Sequence, residues 1–325
     1  MKIIFNSENR ILFYRLPRLF LVSGLVALFI AACAPTTVSP TAAAPTDQAN
    51  LKVVAVETFL ADIAQNVAGD RIKIDSLMPI GADPHSFEPT PQDIRKVSDS
   101  DVLIVNGMGF EEFLNKLLTN AGGKYQIIEA TKGLKSRAIK PNDPHDEDNP
   151  NDPHMWFDPN NVITYVTNIR DGLTQADPAG AATYKTNADA YISKLRALDA
   201  KIQLEVETIP VAKRKLVTDH DTFGYYADRY GFEIVGMLVP SFTTADSSTA
   251  QQLAHLVDQI KATGAKAIFI EQSTNPAIAD QIARDTGAKV VTGLYTHSLS
   301  EPSGPAATYI QMLEYDTQKI VDALE

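Results

Sequence analysis

Residues 177–210 read DPAGAATYKTNADAYISKLRALDAKIQLEVETIP. Tyr184, Ala188, Tyr191, Leu195, Leu198, Ile202, Val206 and Ile209 recur in them at steps of three and four. That spacing lays one apolar stripe along a helix, with Pro178 at its opening and Pro210 at its close. At 1.5 Å per residue, about 30 residues make a rod of roughly 45 Å, long enough to run the height of a domain.

On either side of the rod the pattern alternates between strand and helix. KVVAVETFLADIAQNVAGDRIKIDSLMP, from Lys52, reads as a β-branched strand over 52–56, a helix over Thr58–Ala68, Gly69 and a second strand over 71–78. Thr90 and Pro91 then start a helix, a hydroxyl cap ahead of a proline at the first helical position, and Val102–Val105 is the next strand. The later half repeats this plan from Lys215: a strand, an amphipathic helix, Gly231, a strand, a helix over 247–263 and a strand over 267–270. The likeness of the halves is one of pattern, without repeated identity. Strands alternating with helices predict an α/β fold, with a parallel sheet in each of two lobes. A helix joining them is stiffer than a loop hinge, so the lobes are expected to move little against each other.

The amino terminus has the form of a targeting segment. Lys2, Arg10, Arg15 and Arg18 precede the apolar run 19–32, which is shorter than the roughly 20 residues of a membrane span and ends in Ala31 and Ala32 before Cys33. This is the shape of a lipoprotein signal, with cleavage before Cys33 and lipid on its sulfur. Cys33 is the single cysteine of the chain, which excludes an internal disulfide and a thiolate metal site. Residues 34–50, rich in Pro, Thr and Ala, read as a flexible tether. The expected layout is therefore a signal peptide over 1–32, Cys33 and tether over 33–50, a first lobe over 51–176, the linking helix over 177–210 and a second lobe over 211–325. The formal net charge of −11 suits neither nucleic acid nor anionic lipid and is compatible with cation capture.

Four of the six histidines fall where open α/β sheets gather ligands, beyond strand ends or in proline-stiffened loops. His85 stands in PIGADPHSFEPTP and His154 in DPHMWFDP. His220 follows the strand over 216–218, and His297 follows the strand over 289–292. Two come from each half. His255 sits mid-helix and reads as a packing or surface residue. His145, in KPNDPHDEDNPNDP, lies in a polar segment without apolar periodicity. Neutral imidazole is a common ligand of zinc and related metals, although the spacing matches no compact zinc-finger or HExxH pattern.

Several stretches, DPHSFEPTPQD from Asp83, DPHMWFDP from Asp152, the His-Asp-x-Phe-x-Tyr run from His220 and EPSGPAATYIQML from Glu301, resemble the solute-binding lipoproteins of zinc and manganese ABC transporters. The resemblance spans 51–325. It implies two α/β lobes on a rigid helix, with one metal ion in the cleft held by His85, His154, His220 and His297, and delivery to a membrane permease by a lipid-anchored monomer at the outer face of the cytoplasmic membrane or in the periplasm. Manganese-type members tend to carry a carboxylate where this chain has His220, which points to Zn²⁺ over Mn²⁺. At His297 the family usually has an aspartate. Four imidazoles leave the ion's charge uncompensated, so either Asp221 or Glu271 supports the site from behind, or His297 stays outside it and water completes the shell. The acidic segment 141–153 reads as a solvated loop, with weak metal gathering as the alternative. A secreted zinc hydrolase is the rival from another class, with Glu271 or Asp221 as general base.

Overall fold

The computed structural model describes residues 49–137 and 151–325. The signal segment, Cys33, the tether up to residue 48 and His145 lie outside them. The first lobe places β1 (Val53–Ala55), β2 (Ile74–Ser76), β3 (Val102–Val105) and β4 (Gln126–Glu129) in a parallel sheet of order β2-β1-β3-β4. The second lobe repeats this order with β5 (Lys215–Thr218), β6 (Glu233–Met237), β7 (Ala267–Glu271) and β8 (Lys289–Leu294), as β6-β5-β7-β8. The alternating pattern thus gives the two parallel sheets it predicts. In each sheet the chain leaves the first strand toward one edge and returns to its other side, which creates a switch-point crevice beyond the carboxyl ends.

Helices cover the sheets: α1 (Thr58–Ala68), α2 (Pro91–Ser98), α3 (Leu114–Ala121) and α4 (Pro159–Ala176), then α6 (Gly224–Tyr230), α7 (Ala250–Thr263) and α8 (Ala277–Thr286), with α9 (Tyr309–Leu324) at the end of the chain. α2 begins as its sequence suggests. Thr90 and Asp93 form a reciprocal capping box, with Pro91 at the first turn. A second box, Thr249 with Gln252, starts α7 three residues later than the apolar pattern alone indicates. β2 is shorter than its β-branched run because Arg71 turns away to pair with Asp177, at 2.5 Å.

The central helix, α5 (Ala181–Glu207), follows a 3-10 turn at Pro178–Gly180. All eight residues of the stripe, Ile209 included, are buried. α5 packs against α1, α4 and α9. One continuous core runs from Val53 and Phe59 in the first lobe, through the stripe of α5, to Tyr226 and Leu324 in the second. Each sheet has a smaller core on its outer face.

Candidate metal centre

The four loop histidines meet in the crevice between the sheets. Nitrogens from His85, His154, His220 and His297, one from each, all lie within 4.8 Å of one another. All four residues are buried, His154 and His220 at 0% exposure, and every one of the four Nε2 atoms lacks a hydrogen-bond partner. Leaving four buried imidazole nitrogens unpaired is costly unless something fills the space between them. His255 is exposed on α7, away from this cluster.

Each loop has a local reason for presenting its ring. The first Asp-Pro of DPHMWFDP is a turn: Asp152 Oδ1 accepts the His154 backbone N–H and lies 3.0 Å from its Nδ1. The second is a helix start, with Asp158 capping α4 through Asn160 N–H and Pro159 in the first turn. Between them Met155–Phe157 forms one 3-10 turn, fully buried. Trp156 stacks on Phe59 with ring centroids 4.6 Å apart, and its Nε1 donates to the Thr296 carbonyl beside His297. His220 repeats the device two residues past β5: Asp219 Oδ1 accepts its backbone N–H and lies 2.9 Å from its Nδ1. Glu271, at the end of β7, lies 3.0 Å from His297 Nδ1 and accepts the Thr296 hydroxyl. Three rings are therefore held from behind by carboxylates, which fixes each ring's orientation and turns Nε2 toward the centre. His85 differs: Glu112 Oε1 is 3.8 Å from its Nδ1, and neither ring nitrogen is hydrogen-bonded.

A glycine-rich loop after β3 closes the floor. Gly107, Met108 and Gly109 all have positive φ, and a Cβ at Gly107 would lie 2.6 Å from the Glu129 side chain. Glu111 accepts the Asn106 and Gly107 backbone N–H groups, which folds the loop and sets Phe110 under His85, 5.2 Å between centroids. Asn106 Nδ2 in turn donates to the Pro153 carbonyl, next to His154. Glu57 lies buried nearby; burial first, then the charge of Glu111, pushes its carboxyl well above the usual range.

The two carboxylates that sequence places behind the site end up differently. Glu271 supports His297. Asp221 instead pairs with Arg137, which also binds Asp152, at 2.9 and 2.5 Å. Asp152, read from sequence as part of a solvated acidic segment, is instead fully buried and holds a ring; Asp219, which sequence does not single out, holds another. Their signal was present in the residues just before each histidine, Asp-Pro-His and Asp-His. Among the described residues, Asp219 and Glu271 have ion pairs only with histidines. Their two negative charges would balance the two positive charges of a divalent cation held among the four rings.

The electrostatics differ ring by ring. Burial, and then the neighbouring imidazoles, hold His154 well below the usual imidazole value. Burial outweighs Glu112 at His85 and lowers it to about 4. At His220 burial also opposes charge, but Asp219 outweighs it, with help from Glu271 and Asp83, and the ring is pushed up to about 9. Burial works against the charge of Glu271 too, and the adjoining His297 overcomes it, holding the carboxyl well below its ordinary range.

The family described as zinc-uptake complex component A, periplasmic, matches residues 53–323, and the chain belongs to it. That makes it an extracytoplasmic metal-binding receptor of an ABC transporter rather than an enzyme, and the hydrolase alternative finds no support. A manganese-binding lipoprotein, MntA, of Halalkalibacterium halodurans is 32% identical over 86% of this chain and 90% of its own length. The iron-binding protein YfeA of Yersinia pestis is 35% identical over 85% of this chain and 87% of its own. Among solved structures, the Mn-bound periplasmic metal-binding protein of Candidatus Liberibacter asiaticus superposes with a TM-score of 0.74 at 32% identity, covering 84% of this chain and 99% of that one. The periplasmic zinc-binding protein TroA of Treponema pallidum shares the fold, with a TM-score of 0.77 over 85% of this chain and 99% of its own at 24% identity. Among the described residues, no helix is long and apolar enough to cross a membrane.

Proposed function

We propose that this receptor binds Zn²⁺ through His85, His154, His220 and His297 and passes it to its membrane permease, anchored by lipid on Cys33 and acting as a monomer. The observation that carries the reading is the set of four buried, unpartnered Nε2 atoms aimed at one point. An all-imidazole donor set suits zinc, whereas manganese prefers oxygen ligands. Tetrahedral zinc with Zn–N of about 2.0–2.1 Å needs nitrogens roughly 3.4 Å apart, so the rings would close in by about 1 Å on the ion. His297 would complete the shell where relatives of this type usually place an aspartate, with Glu271 behind it supplying the charge. The two lobes would be bounded at about 176 and 211 by the ends of the linking helix. Coordination and release are the whole mechanism, with no bond made or broken in a substrate.

Manganese is the second reading, favoured by the manganese-binding relatives and by the Mn-bound structure. Metal analysis of the purified protein, followed by competition titration of Zn²⁺ against Mn²⁺, separates the two. Zinc is expected to bind one per chain and at least a hundredfold tighter than manganese. His220→Glu should narrow that gap at least tenfold, and His154→Ala should abolish tight binding. Preferential manganese binding by the unaltered protein would overturn the zinc assignment.

A further inference from the structure

His85 is the one ring of the four with neither nitrogen hydrogen-bonded, and at 8% it is the most exposed. Its position depends on its loop, residues 79–89. Within that loop Asp83 Oδ1 accepts the His85 backbone N–H, at 3.0 Å. Among the described residues, two hydrogen bonds join the loop to other elements, and both cross the cleft to the second lobe. Gly81 N–H donates to Ser298 Oγ at 2.8 Å, and the Thr244 hydroxyl donates to Asp83 Oδ2. Ser298 follows His297 directly and is itself 3.3 Å from the Thr58 hydroxyl, which accepts Leu299 N–H. The loops carrying His85 and His297 are thus tied through one hydroxyl. Asp83 links the other tie straight to the His85 backbone. A cavity of ≈ 70 Å³ lies beside this seam, lined by Gly81, Ala82, Glu271, His297 and Ser298 among others.

We propose that Thr244 and Ser298 are positioning residues: they clamp the His85 loop across the cleft and so set how long a bound divalent cation stays. The inference rests on His85 being a ligand, as proposed above. An ion held by His154, His220 and His297 alone keeps three rings braced by carboxylates, so the unbraced fourth is the one whose departure opens the site. Displacement of the loop over 79–89 breaks both ties at once and withdraws His85. The lifetime of the complex then follows the strength of two hydroxyl contacts rather than of the metal bonds alone.

The test uses the full chain loaded with Zn²⁺ and mixed rapidly with excess chelator. Thr244→Val and Ser298→Ala are each expected to raise the dissociation rate roughly tenfold, and the double variant about 30- to 100-fold, since each removes one half-buried hydroxyl contact across the cleft. Association rates should stay within about twofold, because encounter does not need the clamp. Thr244→Ser, which keeps the hydroxyl, should dissociate like the unaltered protein. A general loss of packing would instead lower the melting temperature of the metal-free variants and would not be restored by serine. Dissociation within twofold of the unaltered rate in both single variants and the double overturns the clamp. Equilibrium titration is done first: absence of one-to-one zinc binding, or unchanged binding in His85→Ala, overturns the ligand reading itself.

Discussion

Asp219 makes His220 the residue that governs how binding depends on pH. An ordinary imidazole would begin to compete with metal near pH 6.5. Beside Asp219 the ring is pushed up to about 9, while His85 and His154 are lowered. The metal takes the neutral ring, so at pH 7.5 each ion bound is expected to displace one proton from His220. Affinity should therefore fall about tenfold per unit as pH drops from 9 toward 6, earlier than an ordinary histidine would dictate. Asp219→Asn removes the charge that raises the ring. The variant should release less than half a proton at pH 7.5, with the decline in affinity moved to lower pH. Calorimetry in buffers of different ionisation enthalpy counts the proton, and an unchanged count in Asp219→Asn would refute this role. The rings themselves were legible in sequence because prolines and strand ends surround them. The partners behind them were less so. Asp221 was expected behind the metal, yet it meets Arg137, 84 residues away in sequence, through a contact that no local pattern announces.

At the scale of elements, helices could be read more closely than strands. α1 and β3 fall where their patterns put them, and the Thr90 cap starts α2, because capping and apolar spacing are local properties. The second strand begins later than its composition suggests, since Arg71 is drawn to Asp177 at the end of α4. The loop over 106–111 carries no apolar period at all. Its shape comes from Gly107, Gly109 and the Glu111 carboxylate, so its place beneath the site emerged only in three dimensions. α5 offers the sharpest test at this scale. Leu195 lies mid-helix with 0% exposure in the core shared by both lobes. Leu195→Ala should cost about 2–5 kcal/mol, the range for an apolar cavity in a packed core. In a chain of this size that corresponds to a melting temperature lower by roughly 5–15 °C. Leu204→Ala, on the exposed side of the same helix at 67% exposure, should shift it by less than about 2 °C. Equal losses in thermal unfolding of the two variants would contradict the one-sided burial of the rod.

The whole molecule is best understood as two sheets on one core. Two lobes with separate cores would unfold separately, and the sequence pattern alone permits that. The packing argues otherwise, because one apolar cluster passes from Phe59 through the stripe of α5 to Leu324. Polar contacts reinforce it across the cleft: Tyr309 OH donates to the Trp156 carbonyl, Tyr225 OH to the Asp152 carbonyl, and Arg137 pairs with Asp221. The metal-free protein is therefore expected to melt in a single cooperative transition, with calorimetric and van't Hoff enthalpies in agreement. The ion bridges loops from both lobes and binds only the folded chain, so it should move that one transition upward without splitting it. At a free concentration a hundred times the dissociation constant the gain is about 2.7 kcal/mol, or roughly 5–10 °C. Two resolved transitions in the metal-free protein, one of them insensitive to zinc, would mean that the lobes fold independently. The long helix would then be a spacer between them rather than the shared centre of their core.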